Sequence, residues 1–246
     1  RRVKNVTEAL ENMQIREATS EALYGLRNDL RWYLRRVREL DYEALKEAAE
    51  TWLNLLYPFA PHLAEELWSK LGEENLLVNF PWPRTVEADE KPLLLEKYLE
   101  GLVEDTYQIL KAMKKTSLAR LRIIIAAEWK NNAFKEIIET AETNRDKIRE
   151  TLTRHATSIG EEELGRFIGQ TMKNLPAMTE EYRRILKQVM ESGEHSILNE
   201  AKPFLEKEFK CSVEIIREDE IAREESATLI GKKPPTQPGR PLILIE

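Results

Sequence analysis

A histidine with carboxylates one helical turn away can hold a metal ion or move protons, and residues 56–68, "LYPFAPHLAEELW", contain that pattern. His62 lies three and four residues before Glu65 and Glu66. No second histidine or cysteine accompanies it in this stretch, which leaves a metal-ligand set incomplete. The same residues read more simply as a corner. Pro58 ends one helix, because proline lacks an amide donor and clashes with the preceding turn. Pro61 opens the next, where a missing N–H costs nothing. The corner is the better reading. Elsewhere no nucleophile with its base can be argued, no Walker-type glycine pattern occurs, and "GRFIG" at 165–169 suits helix packing. The chain alone is expected to catalyse nothing and to hold neither metal nor cofactor.

Positive charge at regular spacing is the stronger signal. Arg27, Arg31, Arg35 and Arg38 recur at intervals of four and three, so they share one face of a helix, with Arg36 on its flank. Such a stripe can follow a phosphate backbone and release counterions, or it can be a solvated face paired with acids such as Glu39. A second cluster gathers Lys111, Lys114 and Lys115 with Arg120 and Arg122 on one side of the strand that follows. Trp129 and Lys130 come next, and Trp129 fits a core better than a base-stacking platform. The third group is the tail 231–246, "GKKPPTQPGRPLILIE". Its prolines stiffen it, while Lys232, Lys233 and Arg240 supply charge for phosphates. In an extended chain Pro241, Ile243 and Ile245 share one face, and Leu242 and Leu244 the other. Either one face docks and the other meets a partner, or the tail is an edge strand completing a small sheet.

Composition narrows the partners. A net charge of -6 and a pI near 5.5 disfavour a protein that coats nucleic acid nonspecifically, but leave room for a specific binder with local basic patches. One cysteine, Cys211, excludes an internal disulfide framework, which points to an intracellular, cytoplasmic chain. No run of about twenty apolar residues is present to span a membrane. The chain starts without Met and already at helical spacing, with Val3, Val6 and Leu10, as a piece of a longer protein would.

The elements that must position these residues follow from periodicity. Helices are expected over 3–12, 15–40, 42–57, 61–71 and from Pro92 to about Met113, with Asp41 as an N-cap and Leu63, Leu67 and Leu71 inward. Leu121, Ile123 and Ile125 then alternate with Arg120, Arg122 and Ile124, which is strand spacing. Helices follow over 133–141, 144–155, 161–173, 180–191 and up to about Phe209, where Pro203 either kinks a helix or starts one. "CSVEIIRE" and the tail supply further strands. The fold class expected is multidomain α+β: an all-α antiparallel bundle at 1–115, then a small mixed α/β domain at 116–246.

Three of these stretches resemble a known family. "LYPFAPHLAEELW", "RNDLRWYLRR" upstream and "FPWP" downstream occur in the order seen in the helical anticodon-binding domain of class I aminoacyl-tRNA synthetases for leucine, isoleucine and valine. A small α/β domain closing with "PGRPLILIE" is similar to the archaeal type of leucyl-tRNA synthetase. "KAMKKTS" resembles that family's ATP-positioning loop but follows the helical domain instead of preceding it, at a helix end where lysines complement the dipole. The resemblance implies a C-terminal portion whose partners are leucine tRNA with its long variable arm and the catalytic part of the same enzyme, with no DNA or membrane involved. ATP and Mg would be used by that catalytic part. It also implies that the tail, with Glu246, touches the tip of the variable arm. The isoleucine and valine enzymes, and a helical protein-interaction module, remain as alternatives.

Overall fold

The computed structural model describes residues 1–85, 89–141, 161–221 and 236–246. The helix expected over 144–155, together with Lys232 and Lys233, lies outside them. The chain forms two compact units, Arg1–Ala88 and Asp89–Glu246. Among the described residues no helix is long and apolar enough to cross a membrane.

The first unit is helical: α1 (Arg2–Glu11), α2 (Ile15–Ser20), α3 (Leu26–Arg36), α4 (Tyr42–Leu56) and α5 (Pro61–Lys70). Mostly small side chains make one of its core clusters: Val6, Ala9, Ala18 and Ala22 pack with Leu55. Asp41 caps α4 by accepting from the Ala44 amide at 3.1 Å. The single helix expected over 15–40 is interrupted by a π-helical turn, Glu21–Gly25, between α2 and α3. The widened turn releases a carbonyl from the helical ladder. Trp52 Nε1 takes the Ala22 carbonyl at 2.7 Å, a contact between elements that periodicity does not encode. On α5 the buried positions are Ala64 and Trp68, whereas Leu63 and Leu67 are exposed. Trp68 dictates that choice: its indole donates to the Asn75 carbonyl at 2.9 Å and meets Phe80 edge-on, with centroids 4.7 Å apart.

In the second unit α6 (Glu90–Ala112) precedes β1 (Arg120–Ile125), α7 (Glu128–Ala141), α8 (Glu161–Asn174), α9 (Glu180–Ser192), α10 (Glu194–Phe209), β2 (Ser212–Arg217) and β3 (Leu242–Ile245). The sequence places the change of organisation near Thr116, yet α6 packs against α9 and α10 and so belongs with the sheet. Tyr98 OH donates to Glu194 Oε1 at 2.6 Å, and Tyr107 OH to Glu208 Oε1 at 2.6 Å. α6 starts at Glu90 rather than Pro92, because Asp89 caps it through the Lys91 amide. Pro203 lies inside α10. The sheet order is β2-β1-β3, with β1 parallel to β2 and antiparallel to β3. As the central strand, β1 buries Leu121, Ile123 and Ile125 as the alternation expects, and also Ile124, on the face of Arg120 and Arg122.

One ionic contact fixes the entry to α3. Arg2 donates to Asp29 through Nε at 2.7 Å and Nη2 at 2.8 Å, and to Glu21 through Nη1 at 2.6 Å. Arg1 adds a bond to Asp29 at 3.0 Å, and Asn5 one to Glu21 at 3.1 Å. The guanidinium lies across Gly25, where a Cβ would stand 2.7 Å from Nη1. Burial pushes the Asp29 and Glu21 carboxyls up, but the bonds and charge of Arg2 outweigh it and hold both below their ordinary values of 3.8 and 4.5.

Gly25→Ala separates two effects. Alanine is favoured over glycine by about 1 kcal/mol in a helix interior. Displacing a charge-assisted, bridging guanidinium costs about 1.5–3 kcal/mol per bond before its discount for solvent exposure. The variant is therefore expected to melt below the unaltered chain, and melting above it would contradict the bridge. Carboxyls depressed in the fold stabilise it above their ordinary pKa, and that stability is lost as pH falls through the folded values. Urea unfolding across pH should show an acid decline below about pH 4.5 that Arg2→Ala flattens. Equal declines in the two proteins would place the acid sensitivity elsewhere.

Candidate nucleic-acid interface

The bridge decides which side of α3 is available. Asp29 on α3 and Glu21 in the turn before it are drawn to Arg2. Arg27, Arg31 and Arg35 are exposed at four-residue intervals, so α3 presents them along one face. Arg27 and Arg31 make no ion pair among the described residues, and the Arg35 guanidinium lies 5.5 Å from the Trp32 ring centroid. Arg38 does not share that face. The helix ends at Arg36 because Val37 is extended, with φ -79° and ψ 150°, so Arg38 is exposed beyond the helix. Tyr24 is the residue that sequence reading missed: it is 60% exposed in the π-helical turn, three positions before Arg27. Its place in "YGLRNDLR", one turn before Arg27, was the available signal.

At the corner both carboxylates beside His62 are engaged by the fold. Glu65 accepts from the amides of Leu77 at 2.9 Å and Val78 at 3.2 Å, which pins the turn at Leu77–Asn79. Glu66 pairs with Lys70 at 2.7 Å, and that contact lowers its pKa. His62 is exposed, with both neighbouring carboxylates committed to structure. Among the described residues no group of three His, Cys, Asp or Glu side chains is placed to hold a metal ion.

At the end of α6 the lysines close the helix. Lys114 takes a left-handed conformation, φ 54°, while its amide reaches the Lys111 carbonyl at 3.1 Å and the Lys115 amide reaches Leu110 at 3.0 Å. This is a Schellman-type stop, with the side chains of Lys114 and Lys115 exposed. Arg120 is exposed at the start of β1. Arg122 is not available in the same way. Its register partner Glu214 pairs with it at 2.9 Å and Glu246 at 3.5 Å, and its side chain is 15% exposed, so it serves the sheet.

The tail is anchored at several points. Thr236 is buried and bonds Glu218, which also pairs with the buried Lys130 at 2.6 Å. At the "PGR" turn Gly239 has φ 67°, its amide donates to Glu194 Oε2 at 3.3 Å, and a Cβ there would meet Leu186 Cδ2 at 2.2 Å. Only glycine fits that position. Burial pushes the Glu194 carboxyl up to about 7, against the opposing bonds from Tyr98 and Gly239. Arg240 is exposed immediately after the turn, and Pro241 is half-buried.

Within β3 the expected division of faces changes. Ile243 is register-paired with Ile123 and is buried, so it joins the core; Ile245 is half-buried opposite Leu121. Leu244, on the other face, is buried as well. The Glu246 amide donates to the Arg120 carbonyl at 3.0 Å and its carbonyl accepts from Ala119 at 2.9 Å. Those groups are therefore spent on the sheet. By antiparallel alternation the peptide groups of Ile243 and Ile245 face the outer edge of β3. Among the described residues they have no partner strand.

Comparison with known proteins identifies the family. A family model for the anticodon-binding domain of tRNA ligase matches residues 1–157. Leucine–tRNA ligase of Pyrococcus abyssi is 32% identical over 250 residues, covering 99% of this chain and 24% of that protein. The Pyrococcus furiosus leucine–tRNA ligase is 32% identical with the same shares, and that of Archaeoglobus fulgidus 30% identical over 100% of this chain and 24% of its own. The chain thus spans about a quarter of the length of the curated relatives it matches. With the helical corner, the arginine-bearing α3 and the match to its first 157 residues, the chain belongs to the anticodon-binding domain family of tRNA ligases.

Proposed function

We propose that this chain is the tRNA-docking part of an archaeal-type leucine–tRNA ligase, working in the cytoplasm on leucine tRNA. The observation that carries the reading is similarity to leucine–tRNA ligases over essentially the whole chain, sheet-bearing unit and tail included. The joining of leucine to tRNA, with ATP and Mg, belongs to a catalytic part outside these residues. What these residues contribute is position: a held tRNA body reduces the entropic cost of presenting its acceptor end.

In this reading the first unit is an antiparallel helical bundle that lays Arg27, Arg31 and Arg35 along the tRNA backbone, with Tyr24 offered to an unstacked base. Arg38 adds charge beyond the helix end. The second unit is a small α/β domain that engages the long variable arm, with Lys114, Lys115 and Arg120 on its backbone. Lys232, Lys233, Arg240, Pro241, Ile245 and the outer edge of β3 meet its tip. Arg122, Ile243 and Glu246 act indirectly, by holding β3 in register.

Arg27→Glu with Arg31→Glu tests the stripe. Both residues are exposed and unpaired among the described residues, so folding should survive the change. Binding to leucine tRNA is expected to fall at least about tenfold at moderate salt, with a salt dependence shallower by about two phosphate contacts. Unchanged affinity and slope would remove α3 from the interface.

A further inference from the structure

A groove of about 650 Å³ opens in the second unit between α7 and α9. Lys135 from α7 and Arg183, Arg184 and Lys187 from α9 line it, with Glu180 as the one acid. Ile138, Met178 and Met190 form its apolar part. Four cations against one carboxylate, on a chain of net charge -6, is a local reversal of sign. The four are not equivalent. Arg184 is paired with Glu90, and Arg183 Nη2 donates to the Leu175 carbonyl at 2.9 Å, so both are oriented by the fold. Lys135 and Lys187 are exposed and have no carboxylate partner among the described residues. Among the described residues only Glu180 in the groove lining offsets their charge.

We propose that this groove receives one unpaired ribonucleotide of a bound RNA, with its base against Ile138, Met178 and Met190 and its flanking phosphates on Lys135 and Lys187. The inference rests on the RNA-binding reading above. The volume falls within the range of small-ligand sites, roughly 300–1,000 Å³, and admits a single nucleotide but no base-paired helix. Thioethers are soft and polarisable and adapt to the face of any base, so the floor selects for an unstacked base without choosing its identity. Cations at the rim supply the phosphodiester partner. A duplex hides its base faces in the stack and gains only the charge term. The groove therefore adds a preference for single-stranded over paired RNA that the charges of Arg27, Arg31 and Arg35 do not themselves supply.

The test uses the full chain and two probes: an oligouridylate of about ten nucleotides and an RNA duplex of matched length. Lys135→Glu with Lys187→Glu is compared with Lys91→Glu with Lys207→Glu, which makes the same charge change at exposed positions outside the groove. The unaltered chain is expected to prefer the single strand. The groove variant should lose about tenfold or more for it while the control variant keeps it, all with unchanged melting temperatures. A thiouridine probe should crosslink to the peptides holding Met178 or Met190. Equal loss in both variants, equal binding by the groove variant and the unaltered chain, or no strand preference would each overturn the inference. If leucine tRNA still binds in those cases, the broader reading stands; if the unaltered chain binds no RNA, both fall.

Discussion

The Arg2 bridge to Glu21 and Asp29 is the contact on which the presentation of α3 depends. An arginine stripe on a helix that carries its own acids would ordinarily be neutralised by them. Here a guanidinium from α1 takes those acids first. It can reach both because Gly25 leaves space for it, and because the π-helical turn sets Glu21 and Asp29 on either side of that glycine. A bidentate guanidinium suits the task better than an ammonium, since its fixed fork orients as well as neutralises. Holding the carboxylates on one side leaves Arg27 and Arg31 without an ion pair on the other, among the described residues.

The tail follows a similar logic with different chemistry. An extended, proline-punctuated segment loses little entropy on ordering, yet it needs anchors that specify register. Thr236 with Glu218 and Lys130, the Gly239 amide on Glu194, and the pairing of β3 with β1 supply them. Buried polar groups of this kind are costly when unpaired and specific when satisfied. Burial raises the Glu194 carboxyl to about 7 even though its bonds from Tyr98 and Gly239 oppose the shift. The result is an edge strand whose inward half is committed and whose outward half has no partner strand among the described residues.

Much of this was legible in the sequence. The corner at Pro58 and Pro61, the Asp41 cap and all three strands lie where periodicity and proline chemistry put them. What could not be read were the contacts between elements. Trp52 meets the Ala22 carbonyl at the π turn, and Trp68 rather than Leu67 sets the buried face of α5. Arg122 and Ile243 look like exposed candidates in a linear reading, but sheet register places Glu214 beside one and Ile123 beside the other. The affiliation of α6 was likewise hidden, because Tyr98 and Tyr107 reach carboxylates about a hundred positions away. Charge patterning located candidate surfaces, whereas pairing decided which charges are free.

The central claim is that these residues hold leucine tRNA and that the sheet-bearing unit with its tail engages the long variable arm. The most direct measurement is the affinity of this chain for leucine tRNA with the arm intact and with the arm shortened, at one moderate salt concentration. A marked loss on shortening is the result expected here, because backbone contacts along the arm and the open edge of β3 at its tip would both lose their partner. Equal affinity for the two RNAs would contradict it and reduce the chain to a docking surface for tRNA of any kind.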